Sequence, residues 1–88
     1  MRLCYLTKMR KRSISIRGHR TSILLEPEFW AVLDAAAAAR SISLPALIAE
    51  VDQSRLKQAP APGLASSLRV FALAAARYPD SGVGDETK

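Results

Sequence analysis

Two short segments near the start of the chain, residues 13–17 and 20–25, alternate apolar and polar side chains with the period of a β-strand. Alternate residues of a strand point to opposite faces, so each segment has one apolar face suited to burial. Gly18 and His19 link the segments, and glycine as the first of two linking residues predicts a hairpin with a type II′ turn. The alternative is an arm in which the second segment alone is ordered. The side chains expected to face the core are Ile14, Ile16, Thr21, Ile23 and Leu25.

The opposite face of the second segment is harder to assign. It carries Arg20, Ser22 and Leu24, so it begins basic and polar but ends in leucine. What this face contacts is the main functional question that the sequence raises.

The hydrophobic period changes from two to 3.6 at Pro27, and two helices follow. Proline and its two glutamate neighbours suit the first turn of a helix, which is predicted to run to about Arg40. Ser43 is a good N-cap for a second helix, and this helix is predicted to end between residues 53 and 56. The apolar stripes of the two helices predict a core made of Phe29, Trp30, Leu33, Leu47, Ile48 and Val51.

Residues 57–63 contain two prolines and a glycine, which predicts a linker. The next segment repeats apolar residues at helical spacing, and Leu73 lies on its far side, so this third helix is apolar over more than one face. It is predicted to be capped at Ser66 or Ser67 and stopped by Pro79. Such a helix behind a linker favours contact across a dimer or in a higher oligomer, through Leu64, Leu68 and Phe71.

Positive charge is concentrated at the start of the chain. The 88 residues carry a net charge of +5, yet residues 1–20 hold seven of the thirteen Lys and Arg and no acidic residue. The rest of the chain, with six basic and eight acidic side chains, balances at −2. A basic arm on a nearly neutral body is typical of a protein that binds a polyanion. A solvated tail is the simpler alternative, and a membrane surface is less favoured because no basic amphipathic helix accompanies the arm.

Several other functions are disfavoured. The single cysteine, Cys4, cannot form an internal disulfide, and no cluster of Cys or His predicts a metal or another cofactor. No serine, cysteine or carboxylate has a credible catalytic partner, so enzyme activity is not expected. No apolar run has membrane-spanning length and the start lacks a secretory signal, which predicts a cytoplasmic protein.

From about Arg20 to Leu56, an alternating strand, a proline at the junction, a first helix, a short turn and a Ser-capped second helix resemble the ribbon-helix-helix family of DNA-binding proteins (the Arc and MetJ type). More narrowly, KRSISIRGHRTSILLEPEFW, ISLPALIAEVD and LASSLRVFALAAAR look like a small bacterial subgroup with an extra leading strand and a trailing helix. The expected fold is mainly α with a short β-ribbon. The chain then divides into a basic arm (1–12), a ribbon-helix-helix domain with its leading strand (13–56), the linker (57–63), the C-terminal helix (64–78) and a disordered tail (79–88).

The resemblance implies an intertwined homodimer that regulates transcription by laying a two-stranded β-ribbon in the major groove of double-stranded DNA. Ile23 and Leu25 would then join the predicted helix residues in a core shared between two chains. Outward side chains would contact bases: Arg20 through a bidentate pair to guanine, Ser22 as donor or acceptor, and Leu24 on a thymine methyl. The start of the second helix would hold a phosphate on its unpaired amides. The predicted phosphate contacts are Arg12, Arg17, His19, Ser43 and Leu44.

Leu24 departs from the family pattern, because this position is usually polar. Leucine makes no hydrogen bond and carries no charge, so the alternative function is an oligomeric protein-interaction module that keeps the fold without specific DNA binding. The antitoxin of a toxin–antitoxin pair is a third possibility, since many antitoxins join this fold to a C-terminal toxin-binding segment.

Overall fold

The structure, a computed structural model, describes residues 8–78. Residues 1–7, with Cys4 and most of the predicted basic arm, lie outside the described residues, as does the predicted tail 79–88 with Pro79. Two antiparallel strands are followed by three helices, which confirms the predicted fold class. The elements are β1 (Arg10–Ile16), β2 (His19–Leu25), α1 (Pro27–Ala39), α2 (Leu44–Leu56) and α3 (Leu64–Arg77).

β1 and β2 form the predicted hairpin, but with a different turn. The two linking residues are Arg17 and Gly18, whose φ angles of 48° and 83° are both positive, as in a type I′ turn. His19 is the first residue of β2 and pairs with Ile16. The predicted type II′ link through Gly18 and His19 is therefore wrong by one residue. An ion pair between Arg17 and Asp52 of α2 favours the register that keeps this arginine in the turn.

β1 begins at Arg10, earlier than the predicted start at Ser13. Trp30 holds this extension in place, because its indole N–H donates to the Arg10 carbonyl at 2.9 Å. The guanidinium carbon of Arg12 lies 4.6 Å from the centre of the same ring, where the electron-rich face attracts a cation. Basic residues that the sequence assigned to the arm are thus part of the sheet.

α1 and α2 are joined by a tight turn near the predicted boundary. The N–H of Ser41 donates to the Ala38 carbonyl and the N–H of Ile42 donates to the Ala37 carbonyl, both at 3.0 Å. Ser41 has a φ of 58°, so it occupies the left-handed position of a Schellman motif, which glycine usually fills. This turn bends the chain by 102° between the two helices, and α2 packs against β1.

α3 packs against its own chain, in contact with α1, α2 and β2. Its N-cap is Gly63 instead of one of the two predicted serines, and its residues Leu68 and Ala72 are buried in the core. Arg69 donates to both carboxylate oxygens of Glu26, at 2.9 and 3.2 Å, which joins α3 to the start of α1. The hydrogen bond from Arg69 is the main cause that lowers the pKa of Glu26. The linker therefore folds the chain back on itself and does not hold α3 away from the domain.

One hydrophobic core lies between the inner face of the hairpin and the three helices. The eight residues predicted to form a core between two chains are all buried within this single chain, except Phe29, which is half-buried. β1 and α3 cover the part of the core that was expected to be covered by a second chain. The buried core residues are Ile14, Ile16, Ile23, Leu25, Trp30, Leu33, Ala37, Leu47, Ile48, Val51, Leu68 and Ala72, while Thr21 is half-buried.

The hairpin turn gives a first prediction. Gly18→Ala should lower the free energy of unfolding by about 1–2 kcal/mol, because a Cβ at a φ of +83° is strained although nothing lies within 4 Å of it. Gly18→Asn should cost less, since asparagine tolerates this conformation. Gly63→Ser is the control: Gly63 has a φ of −65°, equally open surroundings and the N-cap position of α3, which serine suits, so its change should stay within about 0.5 kcal/mol. Urea unfolding followed by circular dichroism measures all three, and equal losses for Gly18→Ala and Gly63→Ser would contradict the assigned turn.

Candidate nucleic-acid interface

The outward face of β2 carries the three side chains predicted to contact bases. Arg20, Ser22 and Leu24 are all exposed, whereas the neighbouring Ile23 and Leu25 are buried. Leu24 leaves 46% of its surface open even though it lies between two buried aliphatic residues. The structure therefore brings the three predicted residues together on one accessible surface.

β1 adds a second row of side chains that sequence reasoning missed. Lys11, Ser13 and Ser15 of β1 are exposed, and the two serines alternate with the buried Ile14 and Ile16. This alternation is the sequence signal by which the outward side of β1 can be recognised. The predicted arm over residues 1–12 hides the start of this strand, and the strand register that sets its outward side chains beside those of β2 is not visible in the sequence. The six outward residues of the two strands form what we call the ribbon face. They pair across the strands as Lys11 with Leu24, Ser13 with Ser22, and Ser15 with Arg20.

The ribbon face is basic, and no acidic residue of the described chain neutralises it. Lys11 and Arg20 form no ion pair within residues 8–78. Arg20 Nη1 donates to Ser13 Oγ at 3.3 Å, a hydrogen bond that crosses from one strand to the other. Most N–H donors of the two cations therefore point to solvent. Such donors can bind phosphate oxygens or the acceptor atoms of bases.

Arg12, a predicted phosphate contact, is already paired within the chain. Its two terminal nitrogens lie 3.1 and 3.2 Å from the carboxylate oxygens of Asp34, and its guanidinium stacks on Trp30. The two side chains of this ion pair are 40% and 49% exposed. An ion pair this open to water contributes little stability, so a phosphate can compete for the guanidinium.

A cluster of three charged groups holds the hairpin turn on α2. The buried carboxylate of Asp52 accepts hydrogen bonds from Arg17 at 2.6 Å and from Arg55 at 2.7 Å. Burial alone raises the pKa of Asp52, but the hydrogen bonds from Arg55 and Arg17 outweigh it and lower the pKa below its ordinary value of 3.8. Arg17, another predicted phosphate contact, therefore anchors the hairpin turn to α2. Its side chain remains 46% exposed, so part of it is accessible to an anion.

The start of α2 offers less to a phosphate than the sequence suggested. Ser43 caps the helix as predicted, with its Oγ accepting from the Ala46 N–H at 3.2 Å. Pro45 has no N–H to donate. Among the first three residues of α2, this leaves the N–H of Leu44 as the one without an acceptor in the described structure. The positive end of the helix dipole still favours an anion here, but a single amide would bind it.

His19 is exposed at the turn end of β2, so a phosphate can reach its side chain. Within residues 8–78, no three His, Cys, Asp or Glu side chains are grouped closely enough to hold a metal ion. In the same range no single helix has the length and hydropathy to cross a membrane. α1 and α2 pass such a test only when they are taken together as a bent pair.

The three predicted oligomer contacts on α3 differ in accessibility. Leu68 is completely buried within its own chain, while Leu64 and Phe71 are half-buried at the edge of the core. The open apolar surface of α3 lies elsewhere on the helix. Val70 is 65% exposed and Leu73 is 57% exposed.

A model of the ribbon-helix-helix domain matches residues 9–76, a span that contains both strands and nearly all of α3. The chain belongs to the ribbon-helix-helix family. The extra leading strand and the trailing helix thus fall within the matched domain. Ribbon-helix-helix proteins are generally DNA-binding regulators or antitoxins, typically form dimers, and have a regulatory fold that is not enzymatic.

A solved structure supports the same fold. An uncharacterized protein from Bordetella pertussis Tohama I is similar to this ribbon-helix-helix chain, with 31% sequence identity and a TM-score of 0.67. The alignment covers 85% of this chain and 61% of that one, so this chain spans less than two thirds of its relative. Among curated proteins, no significant match was found.

The Asp52 cluster gives a second prediction. Because folding lowers the pKa of Asp52, its stabilising effect is complete above 3.8 and is lost as pH falls through the lower pKa of the folded state. Asp52→Asn should lower the free energy of unfolding at pH 7 by about 1–3 kcal/mol and weaken the decline in stability below about pH 4. Asp34→Asn, which breaks a more exposed ion pair, is the control and should cost under about 1 kcal/mol. Thermal unfolding between pH 3 and 7 tests this, and identical pH profiles for Asp52→Asn and the unmodified chain would refute it.

Proposed function

We propose that this protein is a DNA-binding transcriptional regulator that acts as a homodimer and lays the outward face of its β-ribbon in the major groove. The observation that carries this proposal is the ribbon face itself, which is exposed and basic. A two-stranded β-ribbon has the dimensions that the major groove of B-DNA admits. As a regulator of bacterial genes the protein would act in the cytoplasm, where its DNA lies.

The distribution of ion pairs supports a polyanion as the partner. Three arginines on the helices, Arg40, Arg55 and Arg69, are each paired with a carboxylate of the chain. Lys57 at the end of α2 and Arg77 at the end of α3 also form no ion pair within residues 8–78, but they lie on separate elements, whereas the unpaired Lys11 and Arg20 share the ribbon face. A surface of one sign attracts DNA and gives an affinity that falls with salt.

Within this proposal each side chain of β2 has a chemical role. Arg20 would donate two N–H groups to O6 and N7 of a guanine, and Ser22 would donate to or accept from a base edge. Leu24 would pack on the methyl group of a thymine, which needs an apolar surface and no hydrogen bond. Arg12, Arg17, His19 and the Leu44 amide behind the Ser43 cap would contact the phosphates that flank the groove.

The proposed dimer is supported by the family to which the chain belongs and by the open edges of its sheet. The sheet of the described residues has two strands, so each strand has one edge that no other strand covers. Open strand edges invite pairing with another chain. The core, however, is already covered within one chain, so a dimer would add to this fold without being needed to bury Ile23 or Leu25.

A second candidate function has a specific observation in its favour. Leu24 on the ribbon face and Val70 and Leu73 on α3 are large apolar side chains exposed by 46%, 65% and 57%. Exposed apolar side chains mark a protein-binding surface when they form a contiguous patch. An interaction module without specific DNA binding, including an antitoxin that binds its toxin, would use these residues.

Arg20 separates the two functions. If it makes a bidentate base contact, Arg20→Ala should weaken binding to the preferred duplex by about 1–3 kcal/mol and leave binding to unrelated DNA nearly unchanged. Arg77→Ala is the matched control, because it removes the same charge from the end of α3, away from the ribbon. Both variants are measured by gel shift on a duplex selected from a random pool at moderate salt.

The possible outcomes decide between the candidates. Selective retention of one sequence, lost in Arg20→Ala and kept in Arg77→Ala, supports the regulator. If no sequence is retained while light scattering shows a stable oligomer, the regulator is rejected and the interaction module is supported.

A further inference from the structure

The two edges of the sheet differ in charge. β1 begins with three consecutive basic residues, Arg10, Lys11 and Arg12, of which the first two are exposed and the third is half-buried. Arg20 is the single lysine or arginine of β2, whose other residues are one histidine, two hydroxyl residues and three aliphatic residues. Like charges opposite each other destabilise a strand pair, and edge strands use such charges to prevent pairing. A second copy of the chain therefore pairs more favourably along the edge of β2 than along the edge of β1.

This pairing makes β1 the outer strand of a sheet shared by two chains. In a symmetric dimer, β2 lies beside β2 of the second copy, and a β1 strand lies on each outer side. Neighbouring strands are about 4.8 Å apart, so each β2 strand lies about 2.4 Å from the dimer axis and each β1 strand about 7 Å from it.

The width of the major groove gives the two strands different surroundings on DNA. The groove is about 12 Å wide, so its walls lie about 6 Å from its midline. The two β2 strands fit between these walls, where Arg20, Ser22 and Leu24 would face the base edges. Each β1 strand lies over a wall, where the phosphates of one DNA strand run.

The outward side chains of β1 suit such a position. Lys11, Ser13 and Ser15 are exposed, and they pair across the hairpin with the three outward residues of β2, so they face the same side of the sheet. Lys11 forms no ion pair within residues 8–78, and a lysine ammonium on its flexible stem binds phosphate as a point charge. The serine hydroxyls can donate to phosphate oxygens.

We propose that β1 is a phosphate-binding strand that flanks the major groove, with Lys11 as its main contact and Ser13 and Ser15 beside it. The inference rests on the proposed DNA-binding function and adds to its contacts. A dimer has two such strands, one for each wall of the groove. β1 then supplies affinity that depends on salt and not on sequence, whereas β2 supplies the preference for one sequence.

The test is the salt dependence of binding by the full chain. Unmodified protein and Lys11→Ala are titrated between 50 and 200 mM salt, on a duplex selected by the unmodified protein and on a scrambled duplex of equal length. A dimer loses two lysines, each of which contributes about 0.9 to the slope of log affinity against log salt, so the slope should become shallower by about 2. The affinity lost over this salt range should then be about tenfold smaller than for the unmodified protein, and both duplexes should be weakened by a similar factor.

Two further variants serve as controls. Lys57→Ala removes a lysine at the end of α2, outside the ribbon face, and should change the slope by less than about 0.5. Lys11→Arg keeps the charge on β1 and should keep the slope as well, because a phosphate contact requires the charge. Circular dichroism verifies that every variant folds, and Lys11→Gln replaces Lys11→Ala if the alanine chain does not.

Three results would overturn the inference while the regulator stands. A loss confined to the selected duplex would place Lys11 on a base. An unchanged slope for Lys11→Ala would place β1 away from the DNA, and an equal fall for Lys11→Arg would show that the charge is not what binds. If the unmodified chain binds neither duplex, the proposed function itself fails and the inference fails with it.

Discussion

Burial of one face of the hairpin is the constraint on which the rest of the structure depends. Ile14, Ile16, Ile23 and Leu25 each lose nearly all contact with water, and burying such a side chain contributes about 1.5–3 kcal/mol. Side chains alternate along a strand, so a slip of one residue would expose these four and bury the outward set, including Arg20. An unpaired buried charge costs several kcal/mol more. The outward position of the ribbon face is therefore a consequence of packing on the opposite side of the sheet.

Two polar contacts orient the hairpin on this apolar base. At the turn end, Asp52 holds Arg17, and at the open end the Trp30 indole donates to the Arg10 carbonyl. Each such hydrogen bond contributes about 1 kcal/mol, or somewhat more when a charge is involved. Their sum is smaller than the burial of four aliphatic side chains, but hydrogen bonds are directional. They fix the hairpin at both ends relative to α1 and α2, which gives the ribbon face a defined orientation on the body of the protein.

The features that could be predicted from sequence are those set by local periodicity. The inward faces of both strands, the Pro27 start of α1 and the Ser43 cap follow from neighbouring residues, and the structure shows all of them. The docking of α3 involves an ion pair between residues 43 positions apart, which no local pattern reveals, and the ion pair that joins the hairpin turn to α2 spans 35 positions. The site divides in the same way. The β2 half of the ribbon face was predictable, whereas the β1 half required the strand register.

That register changes the meaning of Leu24. Considered alone, a leucine in a DNA-reading position lacks both charge and hydrogen bonds. Across the ribbon from Leu24 lies Lys11, so the two side chains place an apolar group and a cation side by side on one exposed surface. An apolar protein partner would instead have to cover Lys11 and Arg20 along with Leu24, and burying those cations without carboxylates costs several kcal/mol. The exposed cations of this face therefore favour a negatively charged partner, in agreement with the proposed function.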